Sequence, residues 1–390
     1  MKKLCTLLWL FATLAASAQQ TFLLKPAVLS ANKQKIKTGD PATLQALGKL
    51  KRAADKALKD GPYSVTFKSR IPDSGDKHDY MSVGPYWWPD SSKPGGVPYI
   101  RKDGQVNPER FAINDAEFYK SLCHDVCLLG LAWYYTGEEQ YAQHATKLLR
   151  TWYIDTATLM NPNLNYGQAI PGVTKGRGIG LIDTRAVNKL IDGIQLLSDS
   201  KALSKKDYTA IQDWHKKFLD WMRNNPIGKD EADEANNHGT WYDVQAVSIA
   251  LFTEQPALAK EIITTQTKER IKNQLKEEGS QPHELARTLS WNYSSMNLEG
   301  FFELAMLAEN VQIDLWNYTT TDNKSIRKAF TWMLPFAKGE QKWQHQQIKK
   351  MEMNGYVKMA TVAAKKYPDI NIKGLNMPQD DILLLTGWNF

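Results

Sequence analysis

The chain has 390 residues, 42% of them hydrophobic and 11% aromatic, and a formal net charge of +7. That is apolar material enough for a packed core, and length enough for two domains or one large one. A basic chain attracts polyanions, but its lysines are dispersed and no nucleic-acid module is present, so an acidic glycan rather than nucleic acid is the expected partner.

Lys2 and Lys3 precede an apolar run from Leu4 to Ala16, and Ala16-Ser17-Ala18 offers small residues where a signal peptidase cuts. A signal peptide over residues 1–18 is therefore expected, with mature protein from near Gln19 and a formal charge reduced from +7 to +5 by loss of the two lysines. The run is too short to span a membrane, and no later segment reaches the roughly 20 apolar residues a span requires. Cys5 lies inside the leader rather than at the cleavage point, so no lipid anchor is expected and the destination is periplasmic or secreted.

Tyr63 to Phe67 alternates briefly, as a strand would. The stretch Asp73 to Pro108 is rich in Gly, Pro, Asp and aromatics; a loop of that length is either functional or disordered, and its rings argue for packing over one mouth of a groove. His78 within it reads as structural. From about Glu117 the pattern turns helical, with apolar residues three and four apart. Phe118, Leu122, Val126, Leu129 and Trp133 form one stripe; Val187 to Leu197, Tyr208 to Trp221, Leu298 to Ala308 and Ile326 to Phe336 carry the others. Cys123 and Cys127 share a helix face as small buried residues. A second long loop, Asn161 to Asp183, contains Gly176-Arg177-Gly178-Ile179-Gly180, which lacks Rossmann spacing and a preceding strand.

Helices joined by short turns make antiparallel hairpins. These stack as an open solenoid or curl into an α/α toroid, and the absence of a fixed-period repeat disfavours the solenoid. The expected fold is all-α, an (α/α) toroid, as one catalytic domain over residues 19–390.

Two segments carry the chemistry. In Asn236-Asn237-His238-Gly239-Thr240-Trp241-Tyr242, a helical stripe follows directly, so Asn237 and His238 stand at a helix N-terminus, where backbone donors favour anions. Alone, either asparagine is simply a cap. The second segment, Pro282-His283-Glu284-Leu285-Ala286-Arg287, leads into Trp291-Asn292-Tyr293-Ser294. Together they resemble the alginate lyase superfamily, in which an adjacent Asn-His pair meets an Arg and a Tyr from a later helix. The six-residue step from Arg287 to Tyr293 and the 55 residues from His238 to Tyr293 are closer to polysaccharide lyase family 38 than to family 5. Asp79-Tyr80, Tyr86-Trp87-Trp88-Pro89-Asp90, Asp103-Gly104-Gln105-Val106-Asn107-Pro108-Glu109 and Gly176-Arg177-Gly178 extend the resemblance from about Asp76 to Phe336.

The resemblance implies β-elimination at a uronic acid by Asn237, His238, Arg287 and Tyr293. Removing the C5 proton spreads charge into the sugar carboxylate, which calls for the amide of Asn237 and the guanidinium of Arg287 as donors. Tyr293 and His238 are then the candidates for base and acid. For tyrosine to act as base, a cation such as Arg287 must favour the phenolate. In mannuronate and glucuronate the C5 proton and O4 lie on one side, so Tyr293 can serve both; in guluronate they are opposed, so His238 takes the proton and Tyr293 returns one. Gln168, Arg177 and Arg185 are candidates for neighbouring sugar carboxylates, and Trp87, Trp88, Trp241 and Tyr242 for stacking on sugar rings. The acidic cluster Asp230, Glu231, Asp233 and Glu234 repels a polyanion and is expected on a solvated helix start away from the substrate. No calcium-loop or zinc pattern is present, so neither metal nor cofactor is expected. A glycoside hydrolase would need a carboxylate pair drawn from Glu284, Glu299 and Asp243, all expected on helix surfaces. A glycan-binding protein would use the aromatic loops alone.

Overall fold

The computed structural model describes residues 21–377 and 381–388; the expected signal peptide lies outside them. Two helices precede the first one expected from sequence, α1 (Pro26–Lys37) and α2 (Pro41–Ala57). Each has proline in its first turn, where a missing N–H costs nothing, and Asp40 caps α2 by accepting from the Thr43 N–H at 2.9 Å. Then come α3 (Asp115–Thr136), ended by Gly137 in the left-handed region, α4 (Glu139–Tyr153), α5 (Val187–Leu196), α6 (Lys205–Asn224) and α7 (Pro226–Ala232). They are followed by α8 (Asn237–Phe252), α9 (Pro256–Ile262), α10 (Lys268–Gln274), α11 (Pro282–Leu285) and α12 (Ser290–Ala308). The last are α13 (Ile326–Ala337), α14 (Asn354–Lys366) and α15 (Asp381–Thr386).

The architecture is the expected all-α toroid, an incomplete barrel of antiparallel hairpins. α8 and α12 are buried almost all round, as their apolar composition dictates, whereas α4 and α6 bury one face. The inner wall runs α3, α5, α8, α12 by successive packing. α3 and α5 meet so closely that a Cβ on Gly193 would stand 2.7 Å from the Cα of Cys127. Cys123 and Cys127 are buried free thiols there.

The brief alternation at Tyr63 to Phe67 is not a strand. Ser64 caps a 3-10 turn over Val65–Phe67 by accepting from the Thr66 N–H at 3.0 Å, a local competition that serine wins over extended pairing. Short strands occur instead inside the two long loops. β1 (Met81–Val83) pairs in parallel with β4 (Tyr166–Ala169), and β2 (Trp87–Trp88) pairs antiparallel with β3 (Ile100–Arg101). One carboxylate ties the loops together: Asp183 accepts from Tyr80 Oη at 3.0 Å, Ser82 Oγ at 2.6 Å and Gln168 Nε2 at 2.9 Å. His78 is structural, its Nδ1 lying 2.6 Å from the Leu159 carbonyl.

A buried carboxylate fixes the start of the described chain. Asp192 on α5 accepts the N–H groups of Phe22, Leu23 and Leu24 at 2.7, 3.0 and 2.6 Å. Asp192→Ala strands three buried donors, so we expect about 3 kcal/mol of lost stability, given about 1–3 kcal/mol per unsatisfied group and partial rescue by water. Urea unfolding that shows an unchanged midpoint would contradict this.

Candidate active site

A cavity of about 1000 Å³ opens along the inner wall. Its sides come from α3, the start of α5, the N-terminus of α8, α12 and the two long loops. Asn237, His238, Arg287, Tyr293, Gln168, Arg177, Arg185, Trp87 and Trp241 all line it. Trp88 and Tyr242 do not. On a two-residue strand the side chains alternate, so Trp87 faces the cavity while Trp88 sits on the ribbon, its Nε1 donating to the Gln105 carbonyl at 2.9 Å. Tyr242 is a core residue, 3% exposed, donating to the Met222 carbonyl at 3.1 Å. Stacking on sugar is therefore withdrawn for these two rings.

The entry into α8 sets the Asn-His geometry. Asn236 has extended backbone and accepts the His238 N–H at 2.9 Å, so Asn236 is the cap and Asn237 and His238 are the first two helical residues. Arg270 locks the preceding turn. It donates to the carbonyls of Ala232 and Glu234 at 2.7 and 3.0 Å and forms a two-point pair with Asp243.

Of the acidic cluster expected to lie solvated and remote, Asp230 and Asp233 are exposed, but Glu231 is not. It comes from the last turn of α7, is fully buried, and its Oε1 stands 2.8 Å from His238 Nδ1. Glu234 lines the cavity as well. A buried carboxylate on Nδ1 makes that nitrogen the protonated one in the neutral ring and leaves Nε2 as the acceptor. Burial pushes the Glu231 carboxyl up, and the neighbouring His238 draws it back down.

Arg287 and Tyr293 form a second unit. The guanidinium lies 3.7 Å from the centroid of the Tyr293 ring, in cation–π contact. Its Nε and Nη2 donate to Asp103 at 3.2 and 2.7 Å, and Asp103 also accepts the Thr288 N–H and hydroxyl at 3.2 and 2.9 Å. Burial alone would raise the Asp103 carboxyl, but the Arg287 hydrogen bonds and charge hold it well below the usual carboxylate range. Nη1 carries the donors left for an anion.

The Tyr293 hydroxyl pairs with the Tyr86 hydroxyl at 2.6 Å. The cation over the ring was expected to favour the phenolate. Burial and Tyr86 outweigh it, and the phenol is pushed up, so Tyr293 holds its proton.

Asn237 is fully buried, and its Nδ2 reaches both carboxylate oxygens of Glu284, at 3.1 and 2.9 Å, while its backbone N–H donates to Glu284 Oε1 at 2.6 Å. Glu284 is thus no helix-surface residue. Asp243 is likewise buried against Arg270 and Thr267, which leaves Glu299 as the one hydrolase candidate of the three on the cavity wall.

Gln168 and Arg177 brace the second loop. Arg177 donates to the Gln168 carbonyl and to its Oε1, each at 3.1 Å, and Arg185 donates to the Ile182 carbonyl at 3.3 Å. The glycines of that loop permit close approach: a Cβ on Gly176 would lie 2.0 Å from the Asn165 carbonyl oxygen. Among the described residues no three His, Cys, Asp or Glu side chains converge to hold a metal ion. No helix among them is long and apolar enough to cross a membrane.

A family model described as Alginate lyase matches residues 64–343. An alginate lyase from Bacteroides ovatus is 38% identical, with a TM-score of 0.90 over 94% of this chain and 98% of that one. Alginate lyase A1-III from Sphingomonas species A1 is 15% identical, with a TM-score of 0.58 over 95% of this chain and 98% of that one. The same enzyme as a His-to-Ala variant complexed with tetrasaccharide is 14% identical, with a TM-score of 0.61; these two likenesses establish the fold alone. No match was found among curated proteins. The chain belongs to the alginate lyase family and is by class a polysaccharide lyase.

Proposed function

We propose that this protein, periplasmic or secreted, cleaves a polyuronate of the alginate or glucuronan type by β-elimination, with residues 19–390 acting as one catalytic unit of the family 38 kind. The observation that carries the reading is the pairing, in one cavity, of a carboxylate-held imidazole with a protonated phenol under a guanidinium.

The reaction follows from those groups. A base takes the C5 proton, the electron pair forms the C4=C5 bond, and the C4–O4 bond breaks as O4 receives a proton. No water enters. His238, with Glu231 on Nδ1, has Nε2 available as base; Tyr293 holds the proton that O4 needs. Arg287 stabilises the charge that develops on the sugar carboxylate, a contribution of about 2.7–4 kcal/mol for one preorganised donor. The resting protonation suits anti elimination, as in guluronate. Syn elimination of mannuronate or glucuronate by Tyr293 requires the phenol to lose its proton to solvent first, and Tyr86, 2.6 Å away, can then donate its own O–H to the phenolate oxygen. Trp87 offers a ring to the sugar, Trp241 lines the cavity as a largely buried part of its floor, and Arg177 and Arg185 extend the positive wall.

Product masses from alginate and glucuronan test the class of reaction: unsaturated ends support elimination, and saturated fragments would transfer the case to a hydrolase. Glu231→Gln tests the imidazole. An amide in that place can donate to Nδ1 and so favour the tautomer in which Nε2 carries the proton, which blocks its use as base. We expect a loss of about 10²-fold or more in kcat on guluronate blocks, within the range for general base catalysis, with little change in KM; retained kcat would contradict the role.

A further inference from the structure

Asn237 presents an inconsistency that the reaction makes acute. An anionic substrate needs hydrogen-bond donors, yet the Asn237 amide nitrogen is turned to the Glu284 carboxylate, and its Oδ1, also buried, has no hydrogen-bond partner among the described residues. Glu284 is itself 1% exposed. Its titratable neighbours are His238 on α8 and Arg287 beyond its own short helix. Arg287 is already paired with Asp103, and His238, held by Glu231, serves the reaction as a base through Nε2. A uronate carboxylate entering this corner adds a second acidic group beside Glu284, with one guanidinium already shared with Asp103 between them, and like charges in one site favour protonation of one of them.

Resting on the lyase reading above, we infer that Glu284 takes up a proton as the polyuronate binds and donates a hydrogen bond to Asn237 Oδ1, turning the Asn237 amide hydrogens toward the uronate carboxylate. An amide turned about its last torsion occupies nearly the same space. In the turned state Oε1 of Glu284 keeps the Asn237 backbone N–H, the Glu284 O–H satisfies the orphaned carbonyl, and Nδ2 takes the place of Oδ1. Every polar atom of the pair then has a use. Burial, which pushes the Glu284 carboxyl up against the lowering by the Asn237 N–H groups, Arg287 and His238, acts in the same direction. Glu284 is on this account a positioning residue that switches Asn237 from idle to donor.

The test is calorimetric titration of the Tyr293→Phe protein with mannuronate and guluronate oligomers, in two buffers of different ionisation enthalpy at mildly alkaline pH. Uptake of about one proton per bound oligomer is expected, as linkage requires when a group is protonated only in the complex. Tyr293→Phe/Glu284→Gln should bind with no such uptake, because glutamine already offers a donor to Oδ1 and an acceptor to the backbone N–H. Equal uptake in both proteins would overturn the inference. If the Gln variant does not fold, Tyr293→Phe/His238→Gln decides: uptake persists if Glu284 is the acceptor, and its disappearance assigns the proton to His238 and overturns the inference. Unsaturated product from the wild type, together with no uptake in Tyr293→Phe, sinks the Glu284 switch alone. Absence of that product on every polyuronate sinks the lyase reading and the switch with it.

Discussion

Tyr293→Phe is expected to lower kcat on every polyuronate the protein cleaves by roughly 10²–10⁴, the range for loss of a positioned proton donor. The substitution removes one oxygen and leaves the ring under Arg287, so the guanidinium keeps both its cation–π contact and its pair with Asp103. What disappears is the proton for O4. The Tyr86 hydroxyl loses its 2.6 Å partner, and Tyr86→Phe is the control for that loss. It should cost less on guluronate, where Tyr293 acts only as acid, than on mannuronate, where Tyr293 must first give up its proton. Binding of oligomers to Tyr293→Phe should be unchanged. A variant with near-normal kcat would remove Tyr293 from the reaction.

His238→Ala is the second large effect, and its signature is selectivity between substrates. Where the C5 proton and O4 lie on opposite faces, Tyr293 as acid leaves the imidazole as the base, and we expect a loss of about 10²–10⁴ in kcat on polyguluronate. On polymannuronate or glucuronan the loss should be smaller, since Tyr293 then serves as both base and acid. His238→Ala also leaves Glu231 buried without its partner. That costs stability on the order of 3–5 kcal/mol if the pair is charged, so His238→Gln, which keeps a donor toward Glu231, is measured beside it. Equal losses on all three polymers, in both variants, would contradict the division of labour.

How much of this was legible in the sequence depends on distance along the chain. Asn237, His238, Arg287 and Tyr293 stand in short segments whose helix starts are local, and all four reach the same cavity. Their acidic partners are a different matter. Asp103 meets Arg287 across 184 positions, Glu284 meets Asn237 across 47, and Glu231 sits in an acidic run that reads as solvated until tertiary packing buries it. A carboxylate's sequence context carries charge but not burial, and burial is what turns these three into site components. The aromatic errors have a similar origin: nothing local sets which of Trp87 and Trp88 faces inward, and on a helix buried all round, apolar pattern cannot say which of Trp241 and Tyr242 meets the cavity. The helical stripes were readable because each amphipathic period reports its own burial. α1 and α2, whose buried positions are mostly small or polar residues such as Asn32, Thr43, Ala46 and Ala54, were missed.

The most direct measurement follows the ultraviolet absorbance of the C4=C5 double bond conjugated with the uronate carboxylate, on polymannuronate, polyguluronate and glucuronan, with a chelator present. Absorbance that rises with the wild-type protein on at least one polymer, and fails to rise with Tyr293→Phe, is the predicted result. Chain cleavage without that absorbance, or absorbance that Tyr293→Phe leaves intact, would contradict elimination by this site.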